Sequence, residues 1–516
     1  MYLDWSILNV PALGIHSRVV WSVLVVLLSA IAFSQWRSYR RLSHFKGPFW
    51  AQFTNLWMYH VISTKTQYMD LYEAIKKYGD LARVGPNSLI TGDVEMLHRM
   101  NGARSPYTRA PIYAANTLIP HENNTFSFVD EAKHTQRRAQ IATGYTGKDT
   151  DMLEARVDHQ LSELMNLIRT KYISRNQDLR QLDLARTAGY FTMDTITDVA
   201  FSSPWGFLTK DEDLGDWFSM VEHRIVIVYK MSSIPWLFDA VRMPWVAKMI
   251  AKLENPSTGV AKLISMASRI VGDRFESDDA GQIRDMMGSF IRRGLTQGEA
   301  VSEGILQVIA ASDTTATAIR STLLYIITNP HVYRKLQAEI DSTRVVPGPI
   351  ISDAQSKTLP YLQAVIREGV RILPPTASTF AKVVPKDGDT VNGVFIPGGT
   401  EIGISIIAVL RNKRVFGEDV EIFRPERWIT DDEETFKTME KSLNMIWGHG
   451  KYQCLGKDLA WMELNKIYFE RSLADISGQL LKHFDFTLVN PRDPWKAMNT
   501  GLWLQKHMYV KATLRE

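Results

Sequence analysis

The chain has 516 residues, 45% of them apolar and 22% charged, with 60 Lys and Arg against 56 Asp and Glu and a net charge of +4. This is ordinary globular composition with enough apolar residues for a substantial core, and it excludes a disordered, collagen-like or disulfide-scaffold protein. The one cysteine, Cys454, cannot close an intramolecular disulfide, and the small positive balance is spread along the chain, so nothing marks a nucleic-acid partner.

From Val19 to Trp36 the run VVWSVLVVLLSAIAFSQW carries no charge. At ~1.5 Å per residue it is just long enough to span a bilayer core. Arg37, Arg40, Arg41 and Lys46 follow it, whereas Arg18 alone immediately precedes it, which places the C-terminal side in the cytoplasm. The expected order is a lumenal N-terminus over 1–18, a transmembrane signal-anchor helix over 19–36, a basic linker with a Gly47-Pro48 hinge over 37–50, and a folded body over 51–516. The rival is a cleaved secretory signal, because Ala30-Ile31-Ala32 resembles a small-x-small cleavage site. The basic cluster behind the span and the scarcity of cysteine favour the anchor.

At roughly 150 residues per domain the length suggests about three domains, yet no repeat or Gly/Ser linker divides the body. Helical periodicity dominates it. Apolar residues recur at three- and four-residue spacing over Met152–Lys171, Asp183–Phe201, Leu214–Val228, Gly259–Phe275, Thr296–Thr328, His331–Ser342, Asp353–Leu373 and Lys457–Ile476. Short β-like runs are few: Ala82–Val84, Ser88–Thr91, Thr379–Val384 and Val394–Ile396.

The segment Thr296–Thr328 opens with the capping-box pattern Thr296-x-x-Glu299 and stops at Asn329-Pro330, which predicts roughly 32 residues or ~48 Å of helix. Its centre, Ser312-Asp313-Thr314-Thr315, is polar inside an apolar stretch. Burying a carboxylate there costs several kcal/mol unless it is paired, hydrated or used; the alternative is a solvated stripe with Asp313 and Arg320 both facing water. Further on, Glu368 and Arg371 share one helix face, and Arg427, in the loop Phe423–Trp428, can complete a Glu–Arg–Arg network.

Cys454 lies in Trp447-Gly448-His449-Gly450-Lys451-Tyr452-Gln453-Cys454-Leu455-Gly456, just before a helix starting near Lys457. Three glycines in ten residues permit positive φ and close approach of the main chain to a flat partner. A helix N-terminus behind the thiol is expected to lower its pKa and favour thiolate. A cysteine hydrolase also wants a thiolate, with His449 as base, but no oxyanion-hole element accompanies it.

These features together resemble the cytochrome P450 family. The cysteine loop is similar to the family's haem-binding Phe-x-x-Gly-x-Arg-x-Cys-x-Gly pattern, with Trp447 for Phe and Tyr452 for Arg. Ala310-Ala311-Ser312-Asp313-Thr314-Thr315 resembles the oxygen-binding helix motif, Glu368 and Arg371 the Glu-x-x-Arg pair, and Arg427 the Arg of the following loop. Gly450 to Lys457 and Met462 to Lys466 look like the fungal pisatin-demethylase-like branch. The resemblance implies one large, mainly helical domain with a small β-rich part behind the N-terminal anchor, and a monooxygenase that uses haem b and O2. It also implies a membrane-bound NADPH–cytochrome P450 reductase docking near Lys451 and Lys457, on an endoplasmic reticulum membrane with the catalytic domain in the cytoplasm.

Residue by residue, the resemblance makes Cys454 the axial ligand of haem iron, with Trp447, Gly448, Gly450, Tyr452, Gly456 and Ala310 around the cofactor. Asp313 and Thr314 would relay protons on the opposite face, and Glu368, Arg371 and Arg427 would form a structural network. Tyr452 departs from the family's propionate-binding Arg, since it offers only a neutral hydrogen bond. Charge is therefore expected from Lys382 and from Arg138 in His134-x-x-x-Arg138, with Arg137 as its possible substitute. Substrate would meet 105–128, 305–310, 376–380 and 500–503, where Tyr107, Tyr113, Phe128, Phe380, Leu502 and Trp503 suit a lipophilic small molecule. The stretch 225–245 would touch the membrane or be buried. The rivals are a haem-thiolate isomerase or dehydratase and a haem protein without turnover; an intact Asp313-Thr314 pair speaks against the first.

Overall fold

A computed structural model describes residues 11–119, 122–175, 177–241, 243, 245–246, 249, 259–277, 281–343, 351–468 and 480–515. The first helix, α1 (Pro11–Arg41), contains the whole expected span. The transmembrane helix over 19–36 is nevertheless not borne out as a span. Among the described residues no helix is long and apolar enough to cross a membrane, and the side chains of residues 11–20, Leu24, Leu27, Leu28 and Ile31 lie outside that set, as do residues 1–10 of the expected lumenal segment. The basic segment after it is not a free hinge at its start: the Arg83 guanidinium donates to the carbonyls of Tyr39 at 3.2 Å and Ser38 at 3.1 Å, fixing the end of α1 to the folded body.

The body is mainly helical with small sheets. The largest sheet has five strands, β1 (Leu81–Gly85), β2 (Ser88–Thr91), β3 (Thr108–Arg109), β4 (Lys382–Val383) and β5 (Glu401–Ile404), in the order β1-β2-β5-β4-β3. Only β2 and β5 run parallel. In the pairing of β3 with β4, Arg109 stands directly opposite Lys382. The β-like run Thr379–Val384 shrinks to two paired residues because Phe380 adopts φ +42°, outside the extended region.

Six further helices place the site: α2 (Val94–Asn101), α3 (Glu131–Ile141), α4 (Leu184–Phe201), α5 (Gln297–Thr328), α6 (Pro360–Ile372) and α7 (Lys457–Ile467). The long helix α5 forms as the sequence predicts. Thr296 and Glu299 make the reciprocal capping box, and Pro330 starts the next helix. It packs chiefly on α4, where Thr192 bonds the Ser312 carbonyl and Arg320 the Ala185 carbonyl. Gly189 of α4 permits this approach, because a Cβ there would sit 2.7 Å from Phe218 and 2.9 Å from the Arg320 guanidinium. The single helix expected over Asp353–Leu373 is two, Asp353–Ser356 and Pro360–Ile372, since proline takes a first-turn position and disfavours helix in the residue before it. The end expected for α7 at Ile476 falls outside the described residues.

Beneath the centre, Glu368 is wholly buried and accepts from Arg371 Nε and Nη2, each at 2.8 Å, and from Arg427 Nε at 3.0 and 3.1 Å. Trp428 Nε1 and the Arg424 amide add bonds of 2.9 Å each. Arg371 also donates to the carbonyls of Leu410 and Val420, so one carboxylate fastens α6 to the chain before the cysteine loop. Removing one member of a buried pair leaves uncompensated charge. Glu368→Ala is expected to lose about 3–5 kcal/mol, read as a lower denaturant midpoint, and Glu368→Asp to lose less.

Candidate functional site

The cysteine loop is set by its own backbone. The Cys454 amide donates to the Trp447 carbonyl at 2.7 Å, closing a turn in which Gly448 and Gly450 have φ of +70° and +57°. A Cβ on Gly450 would lie 2.2 Å from the Asn101 carbonyl oxygen, and one on Gly448 3.0 Å from that of Tyr452; both positions therefore require glycine. Gly456 caps α7, and the amides of Gly456 and Lys457 donate to the Cys454 sulfur. The sequence predicts a depressed thiol pKa; the structure reverses the net effect. Burial pushes the Cys454 thiol up, against those two amides and the charge of Arg138. The sulfur is deep in the molecule yet retains accessible surface, so the surrounding protein disfavours a bare thiolate, and a cation bound to sulfur would reverse that.

On α5, Ala310 is exposed and Ile309, Ala311, Asp313 and Thr314 are half-buried, between longer stretches that are largely buried. Thr314 Oγ1 donates to the Ala310 carbonyl at 2.7 Å, and Thr192 of α4 donates to the Ser312 carbonyl at 2.5 Å. Hydroxyls bonded to helix carbonyls bend a helix. The reading in which Asp313 and Arg320 both face water is overturned. Arg320 is 2% exposed and bonds the Ala185 carbonyl at 2.7 Å and Asp313 Oδ1 at 3.1 Å.

A cluster of cations meets the cysteine loop from the sheet and from α3. Lys382 is 2% exposed and donates to Tyr113 Oη at 2.9 Å. Arg109 bonds the carbonyls of Thr125, Phe126 and Phe128 and the His134 ring nitrogen Nε2 at 3.2 Å. Among the described residues neither cation has a carboxylate within ion-pair reach. Burial, with Arg109 adding, holds the Lys382 ammonium well below its ordinary value. His134 is pushed down to about 3 by burial and then by Arg109, so the ring is neutral. Its buried Nδ1 has no partner. Arg138 donates to the Gln453 carbonyl at 2.7 Å.

A family model for cytochrome P450 matches residues 45–512. The chain belongs to the cytochrome P450 family. It is similar to the cytochrome P450 monooxygenase ABA1 of Pyricularia oryzae, 38% identical over 503 residues covering 96% of each chain. It is also similar to the cytochrome P450 monooxygenase aba1 of Botryotinia fuckeliana, 36% identical over 473 residues and 91% of each chain, and to the cytochrome P450 monooxygenase mfmA of Annulohypoxylon moriforme, 29% identical over 95% of this chain and 96% of that one. The protein is thus a cytochrome P450 monooxygenase, and the family's cofactor is haem b with a cysteine thiolate ligand.

The residues present fit that cofactor. One accessible thiol stands at a glycine-rich loop, and the two carboxylates of haem b match two buried cations without side-chain ion-pair partners among the described residues and an orphaned imidazole N–H. The structure gathers Cys454, Tyr452, Lys382, His134 and Arg138 into one cluster, and places Asp313, Thr314 and Ala310 on one stretch of α5. Trp447 packs its ring 5.7 Å from Trp461. Arg137 is no substitute for Arg138, because it pairs with Glu299 and with Glu303 at 3.2 Å on α5. Lys451 bonds Glu131 at 3.1 Å and the carbonyls of Ser105 and Tyr107. Tyr107 and Trp503 are core, their polar atoms bonded to Asp389 and to the Pro374 carbonyl. Sequence reasoning missed Arg109, Tyr113 and Glu131 in the cation cluster, and Phe126, which meets Phe380 edge-on at 6.3 Å. One signal was available: Arg109 is the sole Lys or Arg between Tyr107 and Phe128.

Proposed function

We propose that this cytochrome P450 inserts one oxygen atom of O2 into a lipophilic small molecule of fungal secondary metabolism, with electrons from a separate NADPH–cytochrome P450 reductase. The observation that carries the reading is the acid–alcohol pair Asp313-Thr314 on the same stretch of α5 as the exposed Ala310, in a chain whose sole thiol is held by the amides of Gly456 and Lys457. Haem b, when bound through Cys454, supplies the activation of O2, favoured by electron donation from the thiolate.

The chain's own residues do the rest. The Arg320 guanidinium holds the Asp313 carboxylate in place at 3.1 Å, where it can take up a proton from water and pass it inward. Thr314 Oγ1, parked on the Ala310 carbonyl, turns to hold the proton at the reacting centre. Lys382, Arg109, His134 and Arg138 hold the propionates. Phe126 and Phe380, which meet edge-on at 6.3 Å, offer apolar aromatic surface that suits a substrate without charge.

We assign the protein to the endoplasmic reticulum membrane, anchored by α1 with its body in the cytoplasm. Support comes from the uncharged run 19–36 followed by Arg37, Arg40 and Arg41 and from the exposed Trp21, Val25, Val26, Phe33 and Trp36 on α1. Exposed Phe49, Trp50, Trp236 and Trp245 offer further apolar surface to lipid.

Three outcomes test this. The reduced, CO-treated protein shows the red-shifted Soret band of thiolate-ligated haem, and Cys454→Ser abolishes it; a retained band overturns the ligand. Thr314→Ala keeps NADPH consumption but loses most product to uncoupling, whereas product formed without NADPH points to an isomerase. The full chain sediments with membranes after a carbonate wash, and a chain lacking residues 1–36 is released in larger part.

A further inference from the structure

Position 452 holds a neutral ring where the family pattern has an arginine, and that ring is the hub of the cation cluster. The Lys382 ammonium lies 4.1 Å from the Tyr452 ring centroid and the Arg109 guanidinium 5.0 Å from it. The same two cations lie 4.7 and 4.9 Å from the Tyr113 ring. The Tyr452 hydroxyl donates to Glu131 Oε1 at 2.5 Å. That oxygen also accepts the Arg109 amide at 3.0 Å, and Lys451 sits 3.1 Å from Oε2, so the ring is pinned at its far end.

Arg109 and Lys382 are direct cross-strand partners. Like charges placed so are destabilising, and more so when buried without a side-chain ion-pair partner. A ring face attracts a desolvated cation; Arg109 lies within 5.0 Å of two rings, and Lys382 lies against the Tyr452 ring while bonding the Tyr113 hydroxyl.

We propose that Tyr452 is a positioning residue whose ring gathers Lys382 and Arg109 into a fixed pair for the carboxylates of haem b, supplying by two held cations what an arginine at 452 supplies by its own charge. The proposal rests on the haem-thiolate reading and concerns only how the propionate end is held.

The test uses the full-length holoprotein with two readouts other than turnover: the rate of haem transfer to apomyoglobin and the midpoint potential from dye-equilibrated spectroelectrochemistry. Tyr452→Phe, which keeps the ring, is expected within about twofold of wild type in haem loss. Tyr452→Leu should speed haem loss about tenfold or more and lower the potential, because cations released from the ring stabilise the reduced haem less. Lys382→Met should shift both readouts the same way, and the Tyr452→Leu/Lys382→Met double variant should show less than the sum of the single effects. Should Tyr452→Leu fail to fold, pentafluorophenylalanine at 452 keeps the ring's shape while reversing its quadrupole, and should behave as expected for leucine. Unchanged haem loss and potential in Tyr452→Leu or the fluorinated protein, equal effects of Phe and Leu, or full additivity overturns the proposal. Each variant is first checked for the CO band of thiolate-ligated haem. Loss of that band in wild type would sink the haem-thiolate reading, whereas an intact band with unmoved readouts sinks the ring clamp alone.

Discussion

Lys382 and Arg109 are buried face to face on adjacent strands, Glu131 reaching only the main-chain amide of Arg109 and neither side chain having an ion-pair partner among the described residues, and the centre of the protein is arranged around that charge. Two cations cannot be desolvated side by side unless their surroundings compensate. Carbonyls of the 125–128 turn, the hydroxyl of Tyr113 and two tyrosine rings do part of this. The remaining imbalance is a demand for anions, and haem b, the cofactor of the family, carries two.

The contrast with Glu368 is instructive. There a fully buried carboxylate meets two guanidiniums, an indole N–H and a backbone amide, and the spare guanidinium donors find carbonyls. That cluster is complete within the chain, so it holds α6 to the turn at Pro425–Trp428 whatever else is bound. The cluster at Tyr452 is incomplete by charge. One builds the frame; the other receives a ligand.

The same logic separates groups along α5. Arg320 is buried against α4, where Gly189 leaves room for it, and its partner Asp313 is thereby positioned at the partly open middle of the helix. Thr192 and Thr314 draw on the carbonyls of Ser312 and Ala310 in that middle. The helix thus presents an acid and an alcohol at its partly open middle, while Glu299 and Glu303 nearer its start are taken up by Arg137.

Much of this was legible in the sequence where the governing interaction is local. The capping box at Thr296, the glycines around Cys454 and the three-residue spacing of Glu368 and Arg371 act over a few residues, and the structure returns each as read. The breaks at Phe380 and Pro360 were less visible, because tertiary contacts and proline geometry override periodicity. What sequence could not rank was charge. Arg137 and Arg138 are adjacent, yet one pairs with Glu299 and Glu303 while the other meets the Gln453 carbonyl, a choice made by helix phase against distant partners. The sequence by itself therefore determined the cysteine loop, the long helix and the family. Only the tertiary structure decided that Arg109 joins Lys382 at Tyr452, because strand register brings together residues far apart in the chain, and the energy of a buried charge depends on what surrounds it in space.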